Sequence, residues 1–364
     1  MGPGQTGKSV QVSGSVGRAA DAPPRRDFRC SCTQNVAPIL TQLGASLLIS
    51  SYHVGELVSV GVGLEGLELS FHHFERAMGI AVRENRMAVG TQTAIWFLPR
   101  DDELAERLQP RGRYDSCYLA RSARFTGEIL SHELAWTGGE LWVVNTRFSC
   151  LCTFDDRHSF VPRWRPKFIT ALAAEDRCHL NGLALVDGRP KFVSALAETD
   201  VAEGWRPNKA TSGCLIDLDS QETVIRGLAM PHSPRIHEGR VWLLDSGRGR
   251  LVVADLTRGA VETVAELPGY TRGLAMIGSL AFVGMSKLRK TNPDTGGAPI
   301  AGRDQPLKSG VAVVELASGR QVALLESQTG IEEIFDVHVL PGVRSPLISG
   351  PNPQIDSRAV WFVP

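Results

Sequence analysis

Apolar and polar residues alternate along most of the chain in short runs separated by Gly-containing turns, the pattern of half-buried β-strands. A unit recurs from about residue 37: a short strand, a turn, a second strand ending in small polar residues, and a third alternating strand. Leu47-Leu-Ile-Ser-Ser-Tyr-His-Val-Gly-Glu-Leu-Val-Ser-Val-Gly aligns with Leu141-Trp-Val-Val-Asn-Thr-Arg-Phe-Ser-Cys-Leu-Cys-Thr-Phe-Asp and with Val241-Trp-Leu-Leu-Asp-Ser-Gly-Arg-Gly-Arg-Leu-Val-Val-Ala-Asp. Looser copies run over 87–98, 192–218, 280–316 and 347–363.

A shorter strand precedes the hairpins: Met78-Gly-Ile-Ala-Val, His132-Glu-Leu-Ala-Trp, Asn181-Gly-Leu-Ala-Leu, Pro234-Arg-Ile-His, Arg272-Gly-Leu-Ala-Met and Asp336-Val-His-Val-Leu. Their Gly and Ala residues suit the crowded axis of a β-propeller, so these are read as innermost strands. The expected fold is all-β: a single β-propeller over 29–364 behind a disordered tail, 1–28. The hairpin count favours seven blades, about 48 residues each. Six is the alternative, if the first copy, with residues 39–43 as a poor inner strand, is incomplete. Residues 28–36 are expected to supply the outer strand of the last blade and close the ring. After residue 45 no amphipathic helix of roughly 10 residues or more is apparent, which argues against an α/β fold.

Charge and cysteine usage narrow the function classes. Lys+Arg and Asp+Glu both number 39, so no net basic field recommends nucleic acid or a membrane surface as partner. There is no apolar run near the roughly 18 residues of a membrane span and no signal-like start, which makes the cytoplasm the expected location. The cysteines are seven, an odd number without the C-x-x-C spacing of zinc or redox motifs, and are read as buried structural thiols. Residues 2–9, Gly-Pro-Gly-Gln-Thr-Gly-Lys-Ser, match the phosphate-loop pattern. No buried strand precedes them and no helix follows, so the pattern is read as coincidental, as is the loose myristoylation match at Met1-Gly2.

The chain resembles a mainly bacterial family of conserved hypothetical proteins with a domain of unknown function. The resemblance lies in Met78-Gly79-Ile80-Ala81, His132-Glu133-Leu134-Ala135-Trp136, Asn145-Thr146-Arg147-Phe148-Ser149-Cys150-Leu151, Phe160-Val161-Pro162-Arg163-Trp164-Arg165-Pro166 and 175–183. It continues in Met230-Pro231-His232-Ser233-Pro234-Arg235, Arg272-Gly273-Leu274-Ala275 and Asp336-Val337. It implies a propeller-like fold and no particular chemistry.

Candidate chemistry comes from position. Polar residues gather at the entry of successive inner strands: Arg76, His132 with Glu133, His179 with Asn181, His232 with Arg235, Arg272, and Glu333 with Asp336. Three readings follow. The first is a small anionic molecule or peptide bound at the channel mouth, with Arg147, Arg177, Arg235 and Arg272 as forked donors, Asn181 as a polar contact, and Trp164 and Trp205 covering an apolar part. The second is a divalent metal held by His132, His179 and His232 in a hydrolase or lyase, with Glu133 or Asp336 as base. The third is a platform for a protein partner, in which these residues only bridge blades. No Gly-x-Ser-x-Gly elbow supports Ser-His-Asp catalysis. His72 and His73 sit side by side in an outer strand, where adjacent side chains point to opposite faces. The long connection over 155–178, rich in Arg and aromatic residues, is a candidate cover for one face.

Overall fold

The computed structural model describes residues 27–288 and 296–352, and the backbone of the strand Val10–Val12. The six predicted inner strands are all innermost; four of them begin four-stranded antiparallel sheets and two begin six-stranded ones. The protein is a six-bladed β-propeller. Blade 2 opens with Ile80–Arg83, blade 3 with Ser131–Thr137, blade 4 with Leu180–Val186, blade 5 with Pro231–His237 and blade 6 with Tyr270–Ile277. Blade 1 takes its inner strand, Asp336–Pro341, from the far end of the sequence and pairs it with Ala45–Ser51, followed by Glu56–Gly63 and Gly66–His73. That pairing closes the ring.

Among the described residues there is no seventh blade, because two of the sequence copies are partial. The copy at Leu47 lacks an inner strand of its own, and Asp336–Pro341 supplies it. The copy at 347 contributes Pro346–Ser349, which adds in parallel to Ser116–Leu119 at the edge of blade 2; its remainder, 353–364, lies outside the described residues. The expected poor inner strand at 39–43 belongs to an α-helix, Val36–Leu43, that buries Val36 and Leu40 one turn apart and ends at Gly44 in the left-handed region. Arg29–Cys32 is indeed an outer strand, but it extends blade 6 by pairing with Gln321–Thr329. Val10–Val12 pairs beyond it. The rest of the expected tail up to residue 26, phosphate-loop pattern included, lies outside the described residues.

Six apolar clusters fill the six seams between neighbouring blades. Strand alternation explains how one sheet serves two seams: Leu47 and Ile49 pack toward blade 6, whereas Leu48 between them packs toward blade 2. The cysteines are free thiols, and Cys150, Cys152, Cys178 and Cys214 lie in the seams flanking blades 3 and 4. Burial pushes the Cys150 and Cys178 thiols up to about 12, so they are un-ionised packing groups. Near the axis the space is as tight as the Gly content implied. A Cβ on Gly79 would come 2.6 Å from Leu134 Cδ1 of the next blade, and one on Gly182 would come 2.3 Å from Pro234 Cδ. No helix among the described residues is long and apolar enough to cross a membrane.

Candidate functional site at the channel mouth

A cavity of about 600 Å³ opens at the end of the channel where the inner strands begin, and all six blades or their connections line it. Its wall is a chain of ring contacts. The Arg272 guanidinium carbon lies 3.4 Å from the centroid of the Phe335 ring. His132 meets Phe335 at 5.2 Å and His179 at 4.9 Å, both edge-on. His179 in turn packs on Trp205 at 4.3 Å, and across the cavity His232 meets Tyr270 at 5.9 Å.

The local backbone aims these imidazoles. Leu130 and Met230, each two residues before a histidine, adopt φ of 54° and 52°, the left-handed region that side chains seldom enter. Their carbonyls turn back to accept from His132 Nδ1–H at 3.1 Å and His232 Nδ1–H at 2.8 Å. A carbonyl only accepts, so in both rings Nδ1 carries the proton. Burial, then the nearby Arg272 guanidinium and His179, hold both imidazoles well below their usual range. Each is therefore neutral at pH 7, and its Nε2 is an acceptor with no hydrogen-bond partner among the described residues.

His179 is held differently. Its Nδ1 lies 2.7 Å from Asp176 Oδ2, which also accepts from Trp205 Nε1 at 3.1 Å. Asp176 comes from the long connection before blade 4 and Trp205 from the insertion between its second and third strands. The sequence assigned that connection a covering role, and residues 174–176 do line the cavity.

The sequence-predicted residues divide between the cavity and elsewhere. His132, His179, His232, Arg147, Arg272, Glu333 and Trp205 line it. Arg147 sits at the rim, tied to Glu128 through its carboxylate and its carbonyl, each at 2.7 Å. Four expected ligand contacts lie outside the cavity lining. Trp164 closes the outermost strand of blade 3, far from the axis. Arg177 is anchored to Glu175 and Asp200 at 2.9 and 2.7 Å. Asn181 is buried and accepts from Ser194 Oγ at 2.6 Å. Arg235 lies deeper in the channel, where it holds Glu133 in a two-pronged pair at 3.0 and 3.1 Å.

Both expected catalytic carboxylates belong to that deeper cluster. Asp336 Oδ1 is 3.8 Å from Arg235, its Oδ2 accepts from the Ile80 amide at 3.0 Å, and His338 stands 3.7 Å away. Burial pushes the Glu133 carboxyl up against the pull of Arg235, with Asp336 adding to the rise. Among the described residues, the one group of three donors whose ligand atoms lie within 4.8 Å of one another is Glu133, Asp336 and His338. Arg235 already supplies the positive charge there. His132, His179 and His232 share a cavity but do not converge on one point as an ion would require. Sequence reasoning missed Phe335, Tyr52, Tyr270 and Asp176; Phe335 and Tyr270 carried a faint signal, each lying within two residues of a flagged polar position.

Comparison with solved structures adds the fold and no chemistry. One match, from a crystal structure of a nidogen/laminin complex, has a TM-score of 0.50 and 11% identity over 82% of this chain and 99% of that one. No curated protein matches the chain. The family model described as a domain of unknown function (DUF4915) matches residues 34–348, and the chain belongs to that family.

Proposed function

We propose that the channel mouth binds a small anionic molecule, with Arg272 as the group that holds the anion. The observation carrying this reading is the Arg272 guanidinium laid on the Phe335 face at 3.4 Å inside a cavity of about 600 Å³, the size and shape of small-ligand sites. An aromatic platform fixes the plane of the guanidinium, so that its donors keep set directions toward a carboxylate or phosphate. Trp205 and Tyr270 give the apolar part of a ligand a surface to cover. A metal centre built on the three histidines finds less support, since their donor atoms do not gather around one point.

The experiment is thermal denaturation with millimolar carboxylates and phosphates, for the wild type and Arg272→Gln. A ligand that prefers the folded state raises the Tm. The expected result is a rise with at least one anion that disappears in Arg272→Gln. If no anion raises the wild-type Tm, or the rise persists in the variant, Arg272 is not the anion-holding group.

A further inference from the structure

His179 differs from the other two mouth histidines in what holds it. We infer that the mouth is catalytic: His179, oriented by Asp176, is the general base that activates water to hydrolyse an ester carrying an anionic group. The charged group rests on the anion reading above; the base and the reaction go beyond it.

His132 and His232 donate Nδ1–H to backbone carbonyls, and burial with the Arg272 charge disfavours a second proton on either ring. His179 Nδ1 instead lies 2.7 Å from Asp176 Oδ2, an oxygen that accepts from Trp205 Nε1 as well. A carboxylate on Nδ1–H fixes the tautomer that leaves Nε2 free to accept, and stabilises the imidazolium once Nε2 takes a proton. His179 borders the cavity; its Nε2 has no hydrogen-bond partner among the described residues and is reached by solvent. The fold does not ask for a histidine there. His179 directly precedes its inner strand with φ of 49°, and the residues in the same place on blades 3 and 5 are Leu130 and Met230, at 54° and 52°.

A base needs a nucleophile to activate. Among the described residues no serine, threonine or cysteine is hydrogen-bonded to His179, and Ser286, the one residue of those types lining the cavity, is held by the Ile334 amide at 2.9 Å. Water therefore takes that part. Nε2 removes a proton from water as the water oxygen bonds to the acyl carbon. The tetrahedral adduct then breaks its bond to the alkoxy oxygen, which leaves with the proton returned by the imidazolium. Ester and water become acid and alcohol, and His179 ends as it began. An ester is the acyl group that asks least beyond this one base, because an alkoxide leaves more readily than an amide nitrogen.

The full chain is assayed with p-nitrophenyl hydrogen glutarate and with p-nitrophenyl pentanoate, which carries a methyl group in place of the free carboxylate. The glutarate ester is expected to be cleaved with the higher kcat/KM, by roughly tenfold. Its kcat/KM should fall as pH drops, since a protonated imidazole is no base, and His179→Gln should remove that acid limb together with roughly a hundredfold of the rate. Asp176 is a positioning residue, so Asp176→Asn should lower kcat roughly tenfold or more and leave KM unchanged. Should His179→Gln fold poorly, the wild-type pH profile and the kcat-against-KM split of Asp176→Asn decide. No cleavage above the buffer rate, or a rate that survives His179→Gln, overturns the base and leaves the anion reading to its own thermal test. Equal cleavage of the two esters, lost in His179→Gln, keeps the base and overturns the anionic substrate.

Discussion

Two arginines on neighbouring blades, Arg235 and Arg272, meet opposite fates within one channel. Arg235 lies deep, is four-fifths buried, and faces two carboxylates from other blades, Glu133 at 3.0 Å and Asp336 at 3.8 Å. Arg272 lies at the mouth on an aromatic face, bordering the cavity. Glu133 comes from blade 3, Arg235 from blade 5 and Asp336 from blade 1, so the deep cluster ties non-adjacent blades across the axis, which seam packing cannot do. Both are arginines of inner strands; carboxylates brought by other blades make Arg235 a brace, while Arg272 lies on an aromatic face at the cavity.

Breaking the deep brace should have the largest effect. Arg235→Met leaves the Glu133 and Asp336 carboxyls buried without their cation and is expected to destabilise the fold by about 3–5 kcal/mol in urea denaturation. Replacing Glu133 by Gln in that background should restore part of the loss, because it removes one of the stranded carboxyls. A loss below about 1 kcal/mol for Arg235→Met would show that the cluster does not brace the ring.

Acid acts on the mouth and the blades together. Burial lowers the His72 imidazole to about 3 from its usual 6.5, and also lowers His132, His232 and His338. Between the two values the unfolded chain binds a proton that the folded one refuses. The stability is therefore fully present above about pH 6.5 and is lost as pH falls toward the folded value. His72 alone should cost about 2 kcal/mol at pH 5 relative to pH 8. Denaturation at a series of pH values checks this, and His72→Phe should flatten part of the slope; a Tm constant from pH 8 to 5 would contradict it.

Smaller effects sharpen the contrast at the mouth itself. Asp176→Asn removes the charge that receives both His179 and Trp205 and should cost about 1.5 kcal/mol. Imidazole NMR should also show a change at His179, which the two carbonyl-held histidines do not share. Arg272→Gln should change stability least, by about 1 kcal/mol or less, while removing anion-dependent stabilisation. A large stability loss on Arg272→Gln would make the mouth a second brace and erase the contrast with Arg235.

The inner strands were legible because the crowding that demands Gly or Ala near the axis recurs between every blade and its immediate neighbour. Gly79 and Gly182 are written into the sequence by the neighbour a Cβ would strike. The blade count was misread because closure is a long-range pairing: Asp336–Pro341 and Ala45–Ser51 stand nearly three hundred residues apart and carry no mutual mark. The same limit divided the site. His132 and His232 were recognisable as repeats of one strand position, and the fold places both in the cavity. Arg235 and Asn181 looked equivalent by position, yet their roles depend on Glu133 two blades away and on Ser194 across the hairpin.

What the sequence determined by itself was therefore periodic: strand alternation, glycine at the axis, and polar residues at strand entries, each set by forces within one blade and its immediate neighbour. Only the tertiary structure decided how many blades close the ring, which arginine meets two buried carboxylates, and which ring nitrogens meet a backbone carbonyl. Those depend on partners that meet through space, and a carboxylate or carbonyl within 3 Å fixes a charge or a proton far more firmly than position along the chain does.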